Sequence, residues 1–394
     1  MSEKRIAFVT SDLRSGGSER SASELTFALG EDFDRIFYFI FDSTKEVSYK
    51  INAELIDLKY PATTSIVKKV LNTFGRAAGI RKAVKKNGID TVAAFTPIAN
   101  RALRYSRAKC RKIASCRGFD DLMLHPGDYH KCISSGCEIL FNSAEAMNYY
   151  TALYPSDKEM CYTIENLIDC DRIREKASEP LEPKIDEFYK THKTITTVAS
   201  FSRYKGHWEL LKSFALLKKN VPDAGLVLVG HMGEYEETLK RTAAESEFAD
   251  DIIFAGYSDN PFKFIARSDV YALSSISEGF PNALAEAMCC GTVCVSVVCR
   301  TGPRELLFND DIDRKVDDII IGENGIAVPA FDGVIDFDLS NYDQKHISYA
   351  KALEIALTNK ELRKTLSANA VKRAEKNDKR NIRQTYLEYF GAVK

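Results

Sequence analysis

The sequence lacks the features that mark secreted and membrane-spanning proteins. Its ten cysteines have no compact, regular spacing, and the chain opens on Met-Ser-Glu-Lys-Arg rather than on an apolar signal segment. No apolar run approaches the ~20 residues that are needed to cross a bilayer. We therefore expect no disulfide framework and no spanning helix, and free thiols in the reducing cytoplasm are the simplest interpretation.

Standard metal-binding patterns are also missing. Two histidines and two cysteines lie close together between residues 125 and 137, but their spacing fits no standard zinc site. Asp-x-Asp occurs at 311–313 and at 336–338, in acidic, loop-like sequence rather than at the end of a strand. We therefore predict no metal site at any of these stretches.

What is present is an alternation of apolar runs and amphipathic stretches that is typical of α/β proteins. The length of 394 residues predicts two or three domains, and 45% apolar content is ample for their cores. Residues 176–190 hold two prolines and alternating charge, as a connection between domains does. Two helices, over about 346–358 and 360–392, are predicted to end the chain.

The most informative stretch is Ser-Glu-Gly-Phe-Pro-Asn-Ala-Leu-Ala-Glu-Ala-Met at residues 277–288. It follows an apolar run at 269–273 that is predicted as a buried strand. Gly279 allows a tight turn, Pro281 suits the first position of a helix, and that helix is expected to end at Gly291. Unpaired backbone N–H groups at the start of such a helix favour an anion such as a diphosphate.

The spacing of Glu278 and Glu286 around Gly-Phe-Pro-Asn resembles the E-x7-E signature of the family-four retaining glycosyltransferases of the GT-B fold. The later Gly-Pro-Arg-Glu at 302–305 adds to this resemblance. It implies that Glu278 is the catalytic, donor-contacting carboxylate and that Glu286 holds the ribose hydroxyls of the nucleotide. The turn between them is implied to bind the donor through Gly279, Phe280, Pro281 and Asn282.

Other segments of the chain resemble donor-binding turns of the same family. Gly16 and Gly17, in the loop at 15–20, match its Gly-Gly-x-Glu-Arg turn, although they do not complete the G-x-G-x-x-G fingerprint. Lys205 matches the lysine of the turn that clamps the diphosphate, whereas Ser200 stands where the arginine is usual, so Arg203 is the candidate replacement. Tyr257 is a candidate to line the nucleobase.

The first half of the chain departs from the family at one candidate position. In several members a histidine in the loop after the strand that is predicted here at 112–115 touches the donor sugar, but this chain has Cys116-Arg117 there. That histidine cannot be carried over. Arg117 is instead a candidate catalytic-site residue that binds an anionic or carboxyl-bearing group.

A block of basic residues occupies the same half. Between residues 62 and 117 there are 14 lysines and arginines against the single acid Asp90. Residues 64–86 carry apolar side chains near helical spacing, with mostly basic polar positions. Two interpretations stay open: a solvated helix face, or a surface helix that rests on anionic lipid through residues 64–112. Nucleic acid is not expected as a partner, because interleaved aromatics and a recognition motif are missing.

The resemblance implies an α/β fold of the GT-B type, with two Rossmann-like domains facing across a cleft and a C-terminal helix that crosses back to the first domain. Residues 1–180 would present the acceptor, residues 190–375 would bind the nucleotide sugar, and residues 376–394 would form the returning helix.

The implied reaction is a retaining, metal-independent transfer of a hexosyl group from a UDP- or GDP-linked sugar to an acceptor hydroxyl, without a separate cofactor. The implied acceptor is a glycan or lipid-linked glycan of cell-surface polysaccharide assembly, handled in the cytoplasm or peripherally on the inner face of the membrane. The alternatives are a nucleotide-sugar epimerase of the same fold and a non-catalytic sugar-binding subunit.

Overall fold

The computed structural model describes residues 3–14, 16–44 and 48–391. They divide into two compact units, the first made of residues 3–167 with 378–391 and the second of residues 168–377. Each unit is built around one seven-stranded sheet. The strands are apolar on both faces, as helix-covered parallel strands must be, and all six residues of Ala224–Val229 are buried.

The sheet of the first unit has the strand order β3-β2-β1-β4-β5-β6-β7, and neighbouring strands are parallel. The elements of this part of the chain are β1 (Arg5–Val9), α1 (Gly17–Ala28), β2 (Arg35–Ile40), β3 (Glu54–Asp57), α2 (Ile66–Asn87), β4 (Thr91–Ala94), α3 (Pro97–Ser106), β5 (Arg111–Cys116), α4 (Phe119–Leu124), α5 (Pro126–Ser134), β6 (Cys137–Phe141), α6 (Ala144–Leu153) and β7 (Cys161–Thr163).

The sheet of the second unit has the order β10-β9-β8-β11-β12-β14-β13, parallel except for β13. Its elements are α7 (Cys170–Ala177), α8 (Pro183–Thr191), β8 (Lys193–Val198), α9 (His207–Lys218), β9 (Ala224–Val229), α10 (Glu236–Ala244), β10 (Ile252–Gly256), α11 (Phe262–Ile265), β11 (Val270–Leu273), α12 (Asn282–Cys289), β12 (Val293–Val298), α13 (Pro303–Leu307), β13 (Ile320–Ile321), β14 (Ile326–Pro329), α14 (Gln344–Thr358) and α15 (Lys360–Lys376).

The strand order reverses once in each sheet, between β1 and β4 and between β8 and β11. At such a point the connections on either side leave in opposite directions, which opens a crevice at the carboxyl ends of the strands. Ligands of open α/β sheets bind there. The fold therefore directs attention to the loops that follow β1 and β4, and to those that follow β8 and β11.

Two predictions from the sequence, one of a connection and one of a helix, are wrong in detail. Residues 176–190 are not a free connection, because they include the end of α7 and most of α8 within the second unit. The helix predicted over 360–392 is broken after Lys376, where Asn377 and Asp378 are fully buried. The Asp378 carboxylate caps the next helix by accepting the Arg380 amide at 3.0 Å.

The last helix, α16 (Lys379–Phe390), belongs to the first unit, as the sequence predicted for the end of the chain. Tyr386, Leu387 and Phe390 lie in the apolar core beside β1, and the Phe390 ring is 5.8 Å from that of Phe8. Two Rossmann-like halves and a returning C-terminal helix are thus confirmed. Among the described residues, no helix has the length and apolar content that spanning a bilayer requires.

Candidate active site

Two loops are bound to each other where the strand order of the second sheet reverses. One follows β8 and includes a short turn at Arg203–Lys205; the other follows β11 and leads into α12. The Tyr204 carbonyl accepts the Ile276 amide at 2.8 Å, and the Ser274 hydroxyl donates to the Lys205 carbonyl at 2.9 Å. The backbones around Lys205 and Glu278 are therefore held together before any ligand binds.

Gly206 permits this close approach. Its φ of +59° lies in the left-handed region, and a Cβ at this position would lie 2.3 Å from the Ser274 carbonyl oxygen. Since real Cβ atoms do not come so close to backbone, any side chain here would force the loops apart.

The side chains of Lys205 and Glu278 form the centre of the site. The Lys205 ammonium donates to Glu278 Oε1 at 2.7 Å, and the Ser275 hydroxyl donates to the same oxygen at 2.7 Å. The Glu278 side chain is 9% exposed and that of Lys205 is 28% exposed. An ammonium has three donors, so Lys205 can bind an anionic oxygen without leaving the carboxylate.

A third loop, after β12, fixes the backbone of Glu278. The Thr301 hydroxyl donates to the Glu278 carbonyl, and Thr301 is fully buried with a φ of +69°. A β-branched residue in this region is strained, and such strain is found mainly where the surroundings impose a functional geometry. Gly302 follows with a φ of +91°, and a Cβ there would lie 2.3 Å from Pro281 Cδ.

The second glutamate of the motif is buried. Glu286 lies in α12 with 2% of its surface exposed. Burial raises the pKa of the phenol of Tyr271, on β11, well above its usual value, and the carboxylates of Glu278 and Glu286 raise it further. Both carboxylates therefore lie near one buried phenol, which sequence reasoning did not single out.

The start of α12 differs from the prediction by one residue. Pro281 is the residue before the helix rather than its first residue, and the helix begins at Asn282. The Asn282 amide donates to the Phe280 carbonyl at 2.9 Å, and the Leu284 amide donates to the Pro281 carbonyl at 3.0 Å. Phe280 itself lies in the apolar core.

Two further predicted residues lie on the same edge of the sheet. Arg203 is exposed in the turn before Lys205, and its amide donates to Glu234 at 3.0 Å. Tyr257 follows β10 and is 55% exposed, with its ring centre 4.7 Å from that of His231, which follows the neighbouring strand β9. Two adjacent rings of this kind can pack against a flat base.

The remaining predicted residues lie in the first unit. Gly17 begins α1, and the Gly16 amide donates to the Tyr49 hydroxyl at 3.3 Å, while Ser15 lies outside the described residues. This loop follows β1, where the first sheet reverses its strand order.

Arg117 is engaged inside the first unit. It donates to the Asn166 side chain at 2.6 Å and lies 4.5 Å from the centre of the Phe95 ring. Burial lowers the pKa of its guanidinium. These contacts connect the end of β5 with the turn after β7, and ligand binding by Arg117 stays a prediction.

The residues considered for metal binding have other partners. His130 Nδ1 lies 2.8 Å from the buried carboxylate of Asp157, and the Asp336 carboxylate accepts from Lys212 at 2.7 Å. Within the described ranges, no group of three or more His, Cys, Asp or Glu side chains is arranged to hold a metal ion.

His207, directly after the Gly206 turn, predicts a pH dependence of stability. Burial lowers the pKa of its imidazole to about 3, with a smaller contribution from the Lys205 charge. Between this value and the ordinary 6.5 the unfolded chain binds the extra proton, so stability is full above pH 6.5 and falls as the pH drops. We expect the free energy of unfolding to fall between pH 7 and pH 5, and to fall by about 2 kcal/mol less in His207→Gln than in wild type.

Urea unfolding at the two pH values measures this difference. His125 is exposed, and His125→Gln should leave the pH dependence of wild type unchanged. An equal loss of unfolding free energy in His207→Gln and in wild type would contradict the assignment of this pH dependence to His207.

The segment that contains Lys205 and Glu278 is similar to a known protein family. Residues 178–318, which include Lys205 and both glutamates, match the family model for glycosyl transferases group 1. The segment that holds the candidate site is thus similar to the group 1 glycosyltransferases. The chain's match to an uncharacterized glycosyltransferase of Methanocaldococcus jannaschii is 28% identical and covers 49% of this chain and 48% of that protein.

Two further glycosyltransferases match over nearly the whole length. A Campylobacter jejuni N-acetylgalactosamine-N,N'-diacetylbacillosaminyl-diphospho-undecaprenol 4-alpha-N-acetylgalactosaminyltransferase is 25% identical over 98% of this chain and 99% of its own. The crystal structure of Anabaena HepE in complex with UDP and glucose superposes with a TM-score of 0.75 at 16% identity, covering both chains completely. At that identity the likeness shows the fold, which is the GT-B fold predicted for this glycosyltransferase.

Proposed function

We propose that this glycosyltransferase moves a sugar from a nucleoside diphosphate donor, UDP-linked or GDP-linked, to an acceptor hydroxyl with retention of the anomeric configuration and without a metal ion. The observation that carries the proposal is the Lys205–Glu278 pair, 2.7 Å apart where the strand order of the second sheet reverses. A cation and a carboxylate at that edge suit the two ends of a sugar diphosphate: the leaving anion and the sugar.

Each residue has a role in this proposal. Lys205, with Arg203 beside it in the turn, neutralises the charge that develops on the leaving diphosphate, which is the task a metal ion would otherwise perform. Glu278 contacts the donor sugar and stabilises the positive charge that develops as the bond to the diphosphate breaks. Glu286 holds the ribose, and the rings of Tyr257 and His231 pack against the base.

The second unit binds the donor in this scheme, and the first unit presents the acceptor, with the Gly16–Gly17 loop on its own sheet edge as a contact for sugar or phosphate. UDP in the complex of Anabaena HepE supports a uridine nucleotide as the first donor to test.

Donor binding tests the role of Glu286. Glu286→Gln keeps the volume of a buried side chain but removes its charge, so we expect the Km for donor to rise about tenfold while kcat changes little. Thermal shift with a panel of nucleoside diphosphates and nucleotide sugars identifies the ligand, because a ligand that binds only the folded state raises Tm. Glu247→Gln, an exposed glutamate of the same unit, is the matched control.

Released nucleoside diphosphate, measured with and without acceptor, separates this function from its rivals. Release that depends on acceptor is expected. Tight nucleotide-sugar binding without release by wild type would point instead to a non-catalytic subunit, which the serine at position 200 makes the second candidate.

We further propose that the acceptor is lipid-linked and that the enzyme works in the cytoplasm on the inner face of the membrane. The undecaprenol-linked acceptor in the name of the Campylobacter jejuni relative supports the first part. The basic block at 62–117 and the exposed apolar side chains at the start of α2 support the second.

A further inference from the structure

The first two turns of α2 expose apolar side chains that soluble helices normally bury. Every residue from 64 to 71 is exposed. The large apolar side chains in this half of the helix are each more than half exposed: Ile66, Val67, Val70, Leu71 and Phe74. A stretch of helix that packs against nothing is only marginally stable in water. A contiguous exposed apolar patch of this kind marks an interaction surface.

These side chains share one face of α2. Their spacing of one, three or four residues places them along the same side of the helix. Further along, Arg81 and Lys85 follow Phe74 by seven and eleven residues and so continue on that side, and both are exposed. The outer face is therefore apolar over its first half and cationic over its second.

A cationic groove adjoins this face at Phe74. The Phe74 ring centre lies 5.5 Å from that of Tyr105, the exposed aromatic near the end of α3. The groove is lined by Tyr105 together with Arg104, Arg107, Lys112, Lys131, Ser134 and Ser135. It is wide open to solvent and leaves room for a phosphate head group. Tyr105 thus belongs to the apolar face and to the groove at once.

The groove carries a surplus of positive charge. Asp128 pairs most closely with Arg101, at 3.0 Å, and lies 3.5 Å from Arg104 and 3.6 Å from Lys131. In the described part of the chain, Arg107 and Lys112 have no carboxylate partner, and the Lys112 ammonium donates to a backbone carbonyl of the groove wall. The ends of α3 and α5 bring roughly half a negative charge each. Four cations against one carboxylate and two helix ends leave about two positive charges uncompensated.

We propose that this groove binds the phosphate head group of an anionic phospholipid while the apolar face of α2 enters the membrane beside it. The proposal rests on the membrane contact proposed above and gives it a binding site. An anionic phospholipid matches this surface, because it joins a phosphate, which suits the cationic groove, to acyl chains, which suit the apolar face beside it. A second copy of this chain is a poorer occupant, because it would bring the same positive surplus to the interface.

Vesicle sedimentation tests the groove with Arg107→Gln/Lys131→Gln. Wild type should bind vesicles that contain phosphatidylglycerol and bind vesicles of pure phosphatidylcholine weakly. Each basic residue near an anionic surface contributes about fivefold to partitioning, so the double variant should bind roughly 25-fold more weakly. The control removes the same charge from the second unit: Lys184→Gln/Lys360→Gln, both exposed, should bind as wild type does.

Two further experiments distinguish a phospholipid from the other possible ligands of this surface. Val67→Ser/Leu71→Ser should lose binding to all vesicles and stay monomeric at every concentration, and a wild-type dimer that this variant abolishes would make a second copy the occupant. Glycerol 3-phosphate in large excess should not release the bound protein; full release would show a site for free phosphate. Binding by the groove variant equal to wild type, or an equal loss in the control, would overturn the proposal.

Failure of the head-group site can be distinguished from failure of the transferase. Without vesicles and with a short-chain, water-soluble acceptor, the groove variant should release nucleoside diphosphate at the wild-type rate. Vesicle binding, in turn, is read without any donor or acceptor, so it reports on the groove even if wild type transfers no sugar.

Discussion

Glu278→Gln is expected to lower kcat by a factor on the order of 10²–10³ and to leave the Km for donor nearly unchanged. The amide oxygen of Gln can still accept from Lys205 and Ser275, which lie 2.7 Å from the carboxylate in wild type. The loop geometry is therefore kept and only the negative charge is lost. That charge matters most when the bond between sugar and diphosphate breaks, so the effect falls on turnover.

Steady-state rates of nucleoside diphosphate release, measured against donor concentration, give kcat and Km separately. Ser275→Ala is an informative companion, because it removes a hydrogen bond to Glu278 and leaves the charge, and it should cost far less. A kcat for Glu278→Gln within threefold of wild type would remove Glu278 from the catalytic role.

Gly206→Ala is expected to destabilise the second unit strongly. The new Cβ would lie 2.3 Å from the Ser274 carbonyl oxygen in a backbone conformation with φ of +59°. We expect the free energy of unfolding to fall by about 2–4 kcal/mol and the affinity for nucleoside diphosphate to fall with it, because Lys205 moves with the displaced loop.

Gly391→Ala separates the two causes of that loss. Gly391 also has a left-handed φ, +80°, but its added Cβ has no contact within 4 Å among the described residues beyond its chain neighbours. It should lose about 1–2 kcal/mol, the cost of the backbone conformation alone. Urea unfolding of both variants measures their free energies of unfolding, and calorimetry measures nucleotide binding. Equal losses of unfolding free energy in the two variants would mean that the contact between the loops is not close.

The local signals of the candidate site could be predicted from the sequence because they depend on near neighbours. Gly279 and Gly291 bound a helix observed at Asn282–Cys289, and Lys205 follows its strand at the distance that the family turn requires. The sequence does not indicate which distant side chain each of the site residues contacts. Nothing in residues 200–210 indicates that Lys205 meets a carboxylate 73 positions away.

Other functional residues were missed for related reasons. Tyr271 resembles any apolar residue of a buried strand, and only the fold places its phenol near two carboxylates. Thr301 gives no sign of its positive φ, which tertiary contacts impose. For α2, spacing predicted the helix, but whether its apolar side faces the core or solvent depends on which neighbours cover it.

The division of the chain has a consequence for how the protein is made. The second unit is an insertion in the first: the Ile168 amide donates to the Asn377 carbonyl at 2.9 Å, which joins the two ends of the inserted segment. Tyr386, Leu387 and Phe390, which complete the core of the first unit, are synthesised only after the whole second unit. The apolar surface that they cover in the first unit therefore stays exposed until the second unit has been synthesised.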